Sequence, residues 1–288
     1  MRQIKYFLQF FLISFLFLTF KLLGIKISLL ISSFIFKNVG PLFKSKSVIE
    51  SNLSIVFPKL TEDQKENIIN KMWANYGKIF AEYVFLKKFR TAQNYQKKIT
   101  IENQEVLEKI KIRNKPVIFI SGHFNNFELM AMHIEKSGIN LAAIYRPLNN
   151  KFLNPIMEKI RKKYICRKQI KKGISGTKEL LKEFKNGTSI ALMIDQRVSE
   201  GLKCSFFNKE ALTTTIPAQF AKKFGASVVP IYIERSINDD FKLKILNEEK
   251  FSKEESIYKI TLKLNKILEK MVVTNPNQWI WTHNRWKI

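Results

Sequence analysis

His123 and Glu128 are the residues whose types and spacing could most plainly do chemistry. They belong to Gly122-His123-Phe124-Asn125-Asn126-Phe127-Glu128, directly after the hydrophobic run Pro116–Ser121. An imidazole with an ordinary pKa of about 6.5 exchanges a proton at neutral pH. A carboxylate can hold that ring in one tautomer and stabilise the cation that forms. Residues five apart on an ideal helix are about 500°, or about 140° around the axis, from each other, so they do not share a face. The pairing therefore needs His123 in a loop and Glu128 in the first turns of a helix. A histidine after a strand also serves as a structural hydrogen-bonding group, and spacing alone does not separate the two roles.

The surrounding pattern supplies such a setting. Hydrophobic runs at 116–121, 140–145, 189–194 and 227–233 read as buried strands, and 241–246 as a fifth. Between them lie helical stretches: from the residues after Gly122 to about 136, then 151–164, 176–185 and 215–224. A long amphipathic helix is expected over 253–273, and another from a capping box at Thr61 and Gln64 to about Phe85. Residues 51–58 read as a short loop-like element. Strand–helix alternation predicts an α/β fold, with chemistry in loops at strand ends.

The N-terminus has a different character. Tyr6–Phe20 carries no charge, and Ile4–Leu23 reaches the roughly 20 residues of a membrane span if Lys5 and Lys21 snorkel to the interfaces. A single transmembrane anchor is the expectation. A pair of hydrophobic helices lying in the interface and a buried core helix are the other readings. No A-x-A cleavage site follows, which argues against a cleaved signal peptide. The division expected is an anchor at 1–43 and a catalytic domain at 44–288. The basic cluster from Lys21 to Lys46 favours the catalytic part on the cytoplasmic side.

Composition excludes several classes. With 45% hydrophobic residues among 288, global disorder is excluded. Two cysteines, Cys166 and Cys204, cannot build a disulfide framework or a Cys-rich zinc site. No second histidine stands at helical spacing from His123 and Glu128, which disfavours a metal hydrolase, and no metal site is expected. Fifty Lys and Arg against 24 Asp and Glu leave a net charge of +26, an affinity for anionic surfaces in general. Nucleic acid, anionic lipid and an acidic carrier protein all satisfy that charge. No interleaved aromatic–basic motif supports nucleic acid, and the hydrophobic N-terminus argues against it.

The segment around His123 resembles the H-x4-[D/E] motif of the glycerolipid and lipid A acyltransferases, the lysophospholipid acyltransferase-like superfamily. Other segments agree in order. They are Asn52-Leu53 with Phe57-Pro58; Tyr145-Arg146-Pro147; Asp195-Gln196 with Phe206-Phe207-Asn208; Val229-Pro230; and Gln278-Trp279 through Arg285-Trp286. The likeness runs from about residue 44 to the end, is nearest to the lauroyl/myristoyl acyltransferases of lipid A biosynthesis, and implies an α/β fold with a central mixed sheet flanked by helices. Asn208 stands where that family usually has glycine, and Arg197 where a small or acidic residue is commoner.

The resemblance implies acyl transfer from acyl carrier protein to a hydroxyl of a Kdo-modified lipid A precursor, at the bacterial inner membrane and without a cofactor. A lysophospholipid or glycolipid acceptor is the alternative. It implies His123 as general base, oriented by Glu128, with neither cysteine needed. Arg146, Asn126, Asp195 and Gln196 are the expected substrate contacts. Arg146 would meet a phosphate or developing negative charge, or form an ordinary loop ion pair. Asp195 would pair with Arg146 or His123, or cap a turn. Asn125 and Asn126 would cap the helix, the former also able to donate to substrate. His133 is read as structural, and His283, among Trp279, Trp281 and Trp286, as part of a packing cluster or interfacial belt. The basic helix around Lys159–Lys163 is a solvated face or a dock for anionic lipid or the carrier protein.

Overall fold

The computed structural model describes residues 1–287. Its strands are β1 (Ile99–Glu102), β2 (Ile118–Ser121), β3 (Leu141–Tyr145), β4 (Lys168–Lys171), β5 (Ser189–Met193), β6 (Leu202–Phe206), β7 (Lys209–Thr213), β8 (Val228–Arg235) and β9 (Phe241–Ile245). Seven of them form one mixed sheet in the order β1-β9-β8-β2-β5-β3-β4, and β6 and β7 pair as a separate hairpin. Every pairing in the large sheet is parallel except β8 with β9. The five strands expected from hydrophobic runs are present within a few residues of their expected ends.

Burial explains which strands announce themselves. β2 is buried along its whole length and reads as an unbroken apolar run, as a central parallel strand must. β4, Lys-Gln-Ile-Lys, sits at the sheet edge with one buried side chain, and β1 is the opposite edge. Neither has a run to detect. The β6–β7 hairpin turns on Phe207 and Asn208, both in the left-handed region at φ 53° and 57°. Asn tolerates that conformation nearly as glycine does, which accounts for Asn208 in place of the usual glycine.

The Thr61 capping box is present. Gln64 N donates to Thr61 Oγ1 (3.3 Å) and Thr61 N donates to Gln64 Oε1 (3.0 Å), opening the helix Glu62–Glu82. Residues 51–56 differ from expectation: they continue a helix, Lys46–Val56, that stops just before Pro58. Its Asn52 is buried, and Asn52 Nδ2 donates to the carbonyls of both Trp281 and His283 (2.8 Å each). The early and the C-terminal motifs thus meet in space.

One buried ion pair ties the helix Glu62–Glu82 to the sheet. Arg235, at the end of β8, meets Glu82 through Nη1–Oε1 (2.5 Å) and Nη2–Oε2 (3.0 Å), with both residues buried. Arg235 Nη2 also donates to Asn125 Oδ1 (2.9 Å), and Asn126 Nδ2 donates to Glu82 Oε2 (2.8 Å). Removing one partner of a buried, hydrogen-bonded pair leaves an uncompensated charge, at about 3–5 kcal/mol. Arg235→Ala is expected to lower unfolding stability by about that amount in denaturant titration, and by clearly more than substitution of an exposed lysine such as Lys185.

Candidate active site

β2 and β5 are parallel neighbours in which Ser121 is opposite Met193. His123 and Asp195 each follow two residues later, so both chains leave the sheet side by side at the C-terminal edge, where open α/β sheets bind ligands. Both oxygens of the Asp195 carboxylate are engaged. Its Oδ1 accepts from His123 Nδ1 (2.8 Å), and its Oδ2 accepts from His123 N (2.7 Å) and Trp279 Nε1 (2.9 Å). Gly122 makes this approach possible: a Cβ there would stand 2.7 Å from the Phe124 ring and 3.1 Å from Asp195 Oδ2.

With Nδ1–H donated to Asp195, the His123 proton is held on Nδ1, and the Nε2 lone pair has no hydrogen-bond partner among the described residues. The ring is 21% exposed and packs edge-on against Phe127 at 4.9 Å. Burial by itself would lower the His123 pKa. The charge and hydrogen bond of Asp195, with Glu128 behind, outweigh it and hold the ring above the ordinary histidine value. Burial likewise opposes ionisation of Asp195, but His123 and the Trp279 donor keep its carboxyl below the usual range.

The sequence expectation oriented His123 by Glu128 and offered Asp195 as a partner of either Arg146 or His123; the structure pairs His123 with Asp195. Glu128 opens the helix Glu128–Lys136. Its Oε1 accepts from Arg161 Nε (2.9 Å), Arg161 Nη2 (2.7 Å) and the Tyr83 hydroxyl. Glu128 therefore acts on His123 through its charge, not through a hydrogen bond. Arg161 was concealed in the sequence as one cation of a basic helix.

The other expected residues divide. Arg146 is exposed and Gln196 half-buried, and both line the groove beside His123. Asp195 and Asn126 do not face it: Asp195 is consumed by His123 and Trp279, and Asn126 points to Glu82. Asn125, at φ 44°, holds the loop by donating from Nδ2 to Gln278 Oε1 (2.9 Å) while its own N–H donates to the Gln278 carbonyl. Neither asparagine side chain caps the helix at 128, which has no side-chain cap. His133 is buried, as a structural residue would be, and burial pushes its pKa down to about 4.

His283 is more than packing. Its Nε2 accepts the Arg197 N–H (2.9 Å), so the neutral ring carries its proton on Nδ1, and the residue lines the groove. Burial pushes its pKa down to about 4, although the Asp195 charge pulls the other way. The tryptophans around it are core: Trp279, Trp281 and Trp286 are all buried. Buried Arg285 serves packing as well, donating to the Leu212 carbonyl (2.8 Å) and Thr213 Oγ1 (2.6 Å). Cys166 and Cys204 are buried free thiols, and burial pushes Cys166 up to about 12, unsuited to nucleophilic work.

Two cavities meet at His123. One, of about 470 Å³, is a groove with Lys44, Arg146, Lys171 and Lys172 on its walls together with Gln196 and His283. The other, of about 760 Å³, is walled by Phe17, Phe36, Ile79, Phe80, Leu153 and Met157. Both fall in the roughly 300–1,000 Å³ range of small-molecule sites. His123, Phe127, Arg161 and Ile280 belong to both. An apolar cavity and a basic groove thus converge on His123. Histidine NMR on ¹⁵N-labelled protein should show three rings: His123 titrating above the ordinary value, and His133 and His283 near 4. The ¹⁵N shifts should place the neutral-form proton on Nδ1 in both His123 and His283.

A family model described as bacterial lipid A biosynthesis acyltransferase matches residues 1–288. The chain is 25% identical over 255 residues to the lipid A biosynthesis palmitoleoyltransferase of Escherichia coli (strain K12), covering 85% of this chain and 79% of that one. It is 24% identical over 239 residues to lipid A biosynthesis acyltransferase 2 of Shigella flexneri, covering 80% and 74%. To the lipid A biosynthesis lauroyltransferase of E. coli (strain K12) it is 22% identical over 252 residues, covering 83% and 78%. Matched along its whole length, the chain belongs to the bacterial lipid A biosynthesis acyltransferases and is an acyltransferase.

Proposed function

We propose that this enzyme moves a fatty acyl group from an acyl carrier protein thioester to a hydroxyl of a Kdo-modified lipid A precursor, with His123 as general base. The observation that carries the reading is the free Nε2 of His123 at the meeting point of the apolar cavity and the basic groove. The acyl chain occupies the apolar cavity and the phosphorylated sugar lies in the groove, near Arg146, Lys171 and Lys172. As the acceptor oxygen attacks the thioester carbonyl, His123 Nε2 takes its proton. The new C–O bond forms, the C–S bond breaks, and the proton passes to the departing thiolate. Asp195 stabilises the imidazolium between these steps. The Nδ1–H of His283 is the donor for the negative charge that develops on the carbonyl oxygen.

The exposed Lys159, Lys162 and Lys163 suit an acidic carrier protein, which supports a reading in which this face meets the donor on the cytoplasmic side of the inner membrane.

Purified enzyme in detergent, given lauroyl- and myristoyl-carrier protein with a Kdo-modified tetraacylated precursor beside lysophospholipids, is expected to acylate the lipid A precursor. His123→Ala should lose about 10²–10⁴-fold in kcat. Transfer to lysophospholipid alone would assign the alternative acceptor, and equal activity in His123→Ala would remove the base. His283→Phe should lower kcat by about 10²-fold with little change in KM, the signature of a donor used in the transition state. A change in KM alone would make His283 a ground-state contact.

A further inference from the structure

The N-terminal helix Arg2–Val39 is two arms. Gly24, at φ 77° and ψ 169°, leaves the helical region and breaks it between them. The Ser28 hydroxyl reaches back to the carbonyls of Phe20 (3.0 Å) and Gly24 (2.6 Å), fastening the turn.

Both arms are docked on the catalytic domain. In the first, Asn150 Nδ2 donates to the Tyr6 carbonyl (2.8 Å), Phe7 and Phe10 pack on Phe152, and Phe17 and Phe20 pack on Phe80. In the second, Phe36 returns to the same Phe80, and the Ser32 hydroxyl donates to the Gly77 carbonyl (2.7 Å). A Cβ on Gly77 would stand 2.2 Å from the Ser32 carbonyl oxygen, so the two backbones are in direct contact. Crossing a hydrocarbon core of about 30 Å takes about 20 residues of helix clear of the aqueous domain. The first arm is held at positions 6–10 and again at 17–20. The second, at about 1.5 Å per residue, is only about 22 Å long.

The first arm is nevertheless apolar on two faces. Ile13, Phe17 and Phe20 turn inward, and Ile13 and Phe17 wall the apolar cavity. Leu8, Phe11, Phe15, Leu18 and Leu22, three or four residues apart, form an outward stripe in which each side chain is more than half exposed. Lysines stand at both levels: Lys5 near the start, and Lys21 and Lys26 on either side of the Gly24 turn, all exposed. Ammonium groups at both ends of the arm suit a helix lying along anionic headgroups, with its stripe in the acyl region.

We infer that the hydrophobic segment does not cross the bilayer: it folds back at Gly24 and lies in one leaflet, with the N-terminus on the same side as the catalytic domain. This holds whichever lipid accepts the acyl group.

The test uses the full chain in sealed membrane vesicles of both orientations. Gln3→Cys and Lys59→Cys, two exposed sites, are labelled separately with a membrane-impermeant maleimide. Both are expected to react from the same side. Reaction from opposite sides overturns the inference, and so does protection of Gln3→Cys from both sides until detergent is added. The occupant of the stripe is tested with a Phe11→Glu, Leu18→Glu double variant on phosphatidylethanolamine–phosphatidylglycerol vesicles. Binding should weaken at least ~10-fold with the oligomeric state unchanged. Unchanged vesicle binding, with a dimer turned to monomer, would make the stripe a contact with a second copy instead.

Discussion

The parallel register of β2 on β5 is the constraint on which the site depends. It sets Ser121 against Met193, and the next two residues of each strand bring His123 to Asp195. A shift of one residue would turn the side chains of the slipped strand to the opposite face and separate the imidazole from its carboxylate. Tautomer, ring orientation and the raised pKa of His123 all follow from that single alignment. Everything else near the site keeps the two loops where the register delivers them. Gly122 allows the backbone to pass, Trp279 Nε1 donates to Asp195 Oδ2, and Gln278 grips Asn125 from the C-terminal segment.

Charge is buried here to a purpose. Glu82 and Arg235 are a matched pair that joins a helix, the end of β8 and the His123 loop through Asn125 and Asn126. Glu128 and Arg161, with Tyr83, form a second such cluster where the two cavities meet. A buried pair of this kind is costly to break and directional, so it fixes geometry where an apolar contact would allow sliding. The C-terminal segment is pinned by the same logic: Asn52 holds its carbonyls, and Arg285 anchors it to Leu212 and Thr213. Motifs at residues 52, 123, 195 and 278–285 are far apart in the chain and form one hydrogen-bonded unit in space.

That arrangement explains what could be read from the residues alone. Central strands and the capping box are local features, written as apolar runs and a Thr-x-x-Gln spacing, and they were legible. Edge strands β1 and β4 face solvent and carry no such run. The partner of His123 was the harder matter. Helical spacing correctly placed His123 in a loop and Glu128 in a helix, but it ranks only residues near in sequence. Asp195, 72 positions away, was one of several pairings the motif order allowed, and sheet register is what selects it. His283 was hidden for a related reason: its ring lies among tryptophans in the sequence, yet in the structure it accepts a backbone N–H from Arg197 and lines the groove.

The most direct test of the account is the pH dependence of kcat/KM for Asp195→Asn beside Glu128→Gln. In the proposed mechanism the base works unprotonated, so activity should rise with pH through the His123 pKa. Asp195 is the main influence holding that pKa up, so Asp195→Asn should move the acid limb to lower pH. It should also lower the plateau by about 10²–10⁴-fold, because Asn no longer enforces the Nδ1–H tautomer. Glu128→Gln should move the limb less and keep most of the plateau. The opposite ranking, with Glu128→Gln shifting the limb and Asp195→Asn leaving it in place, would contradict the assignment of Asp195 as the partner that makes His123 a base.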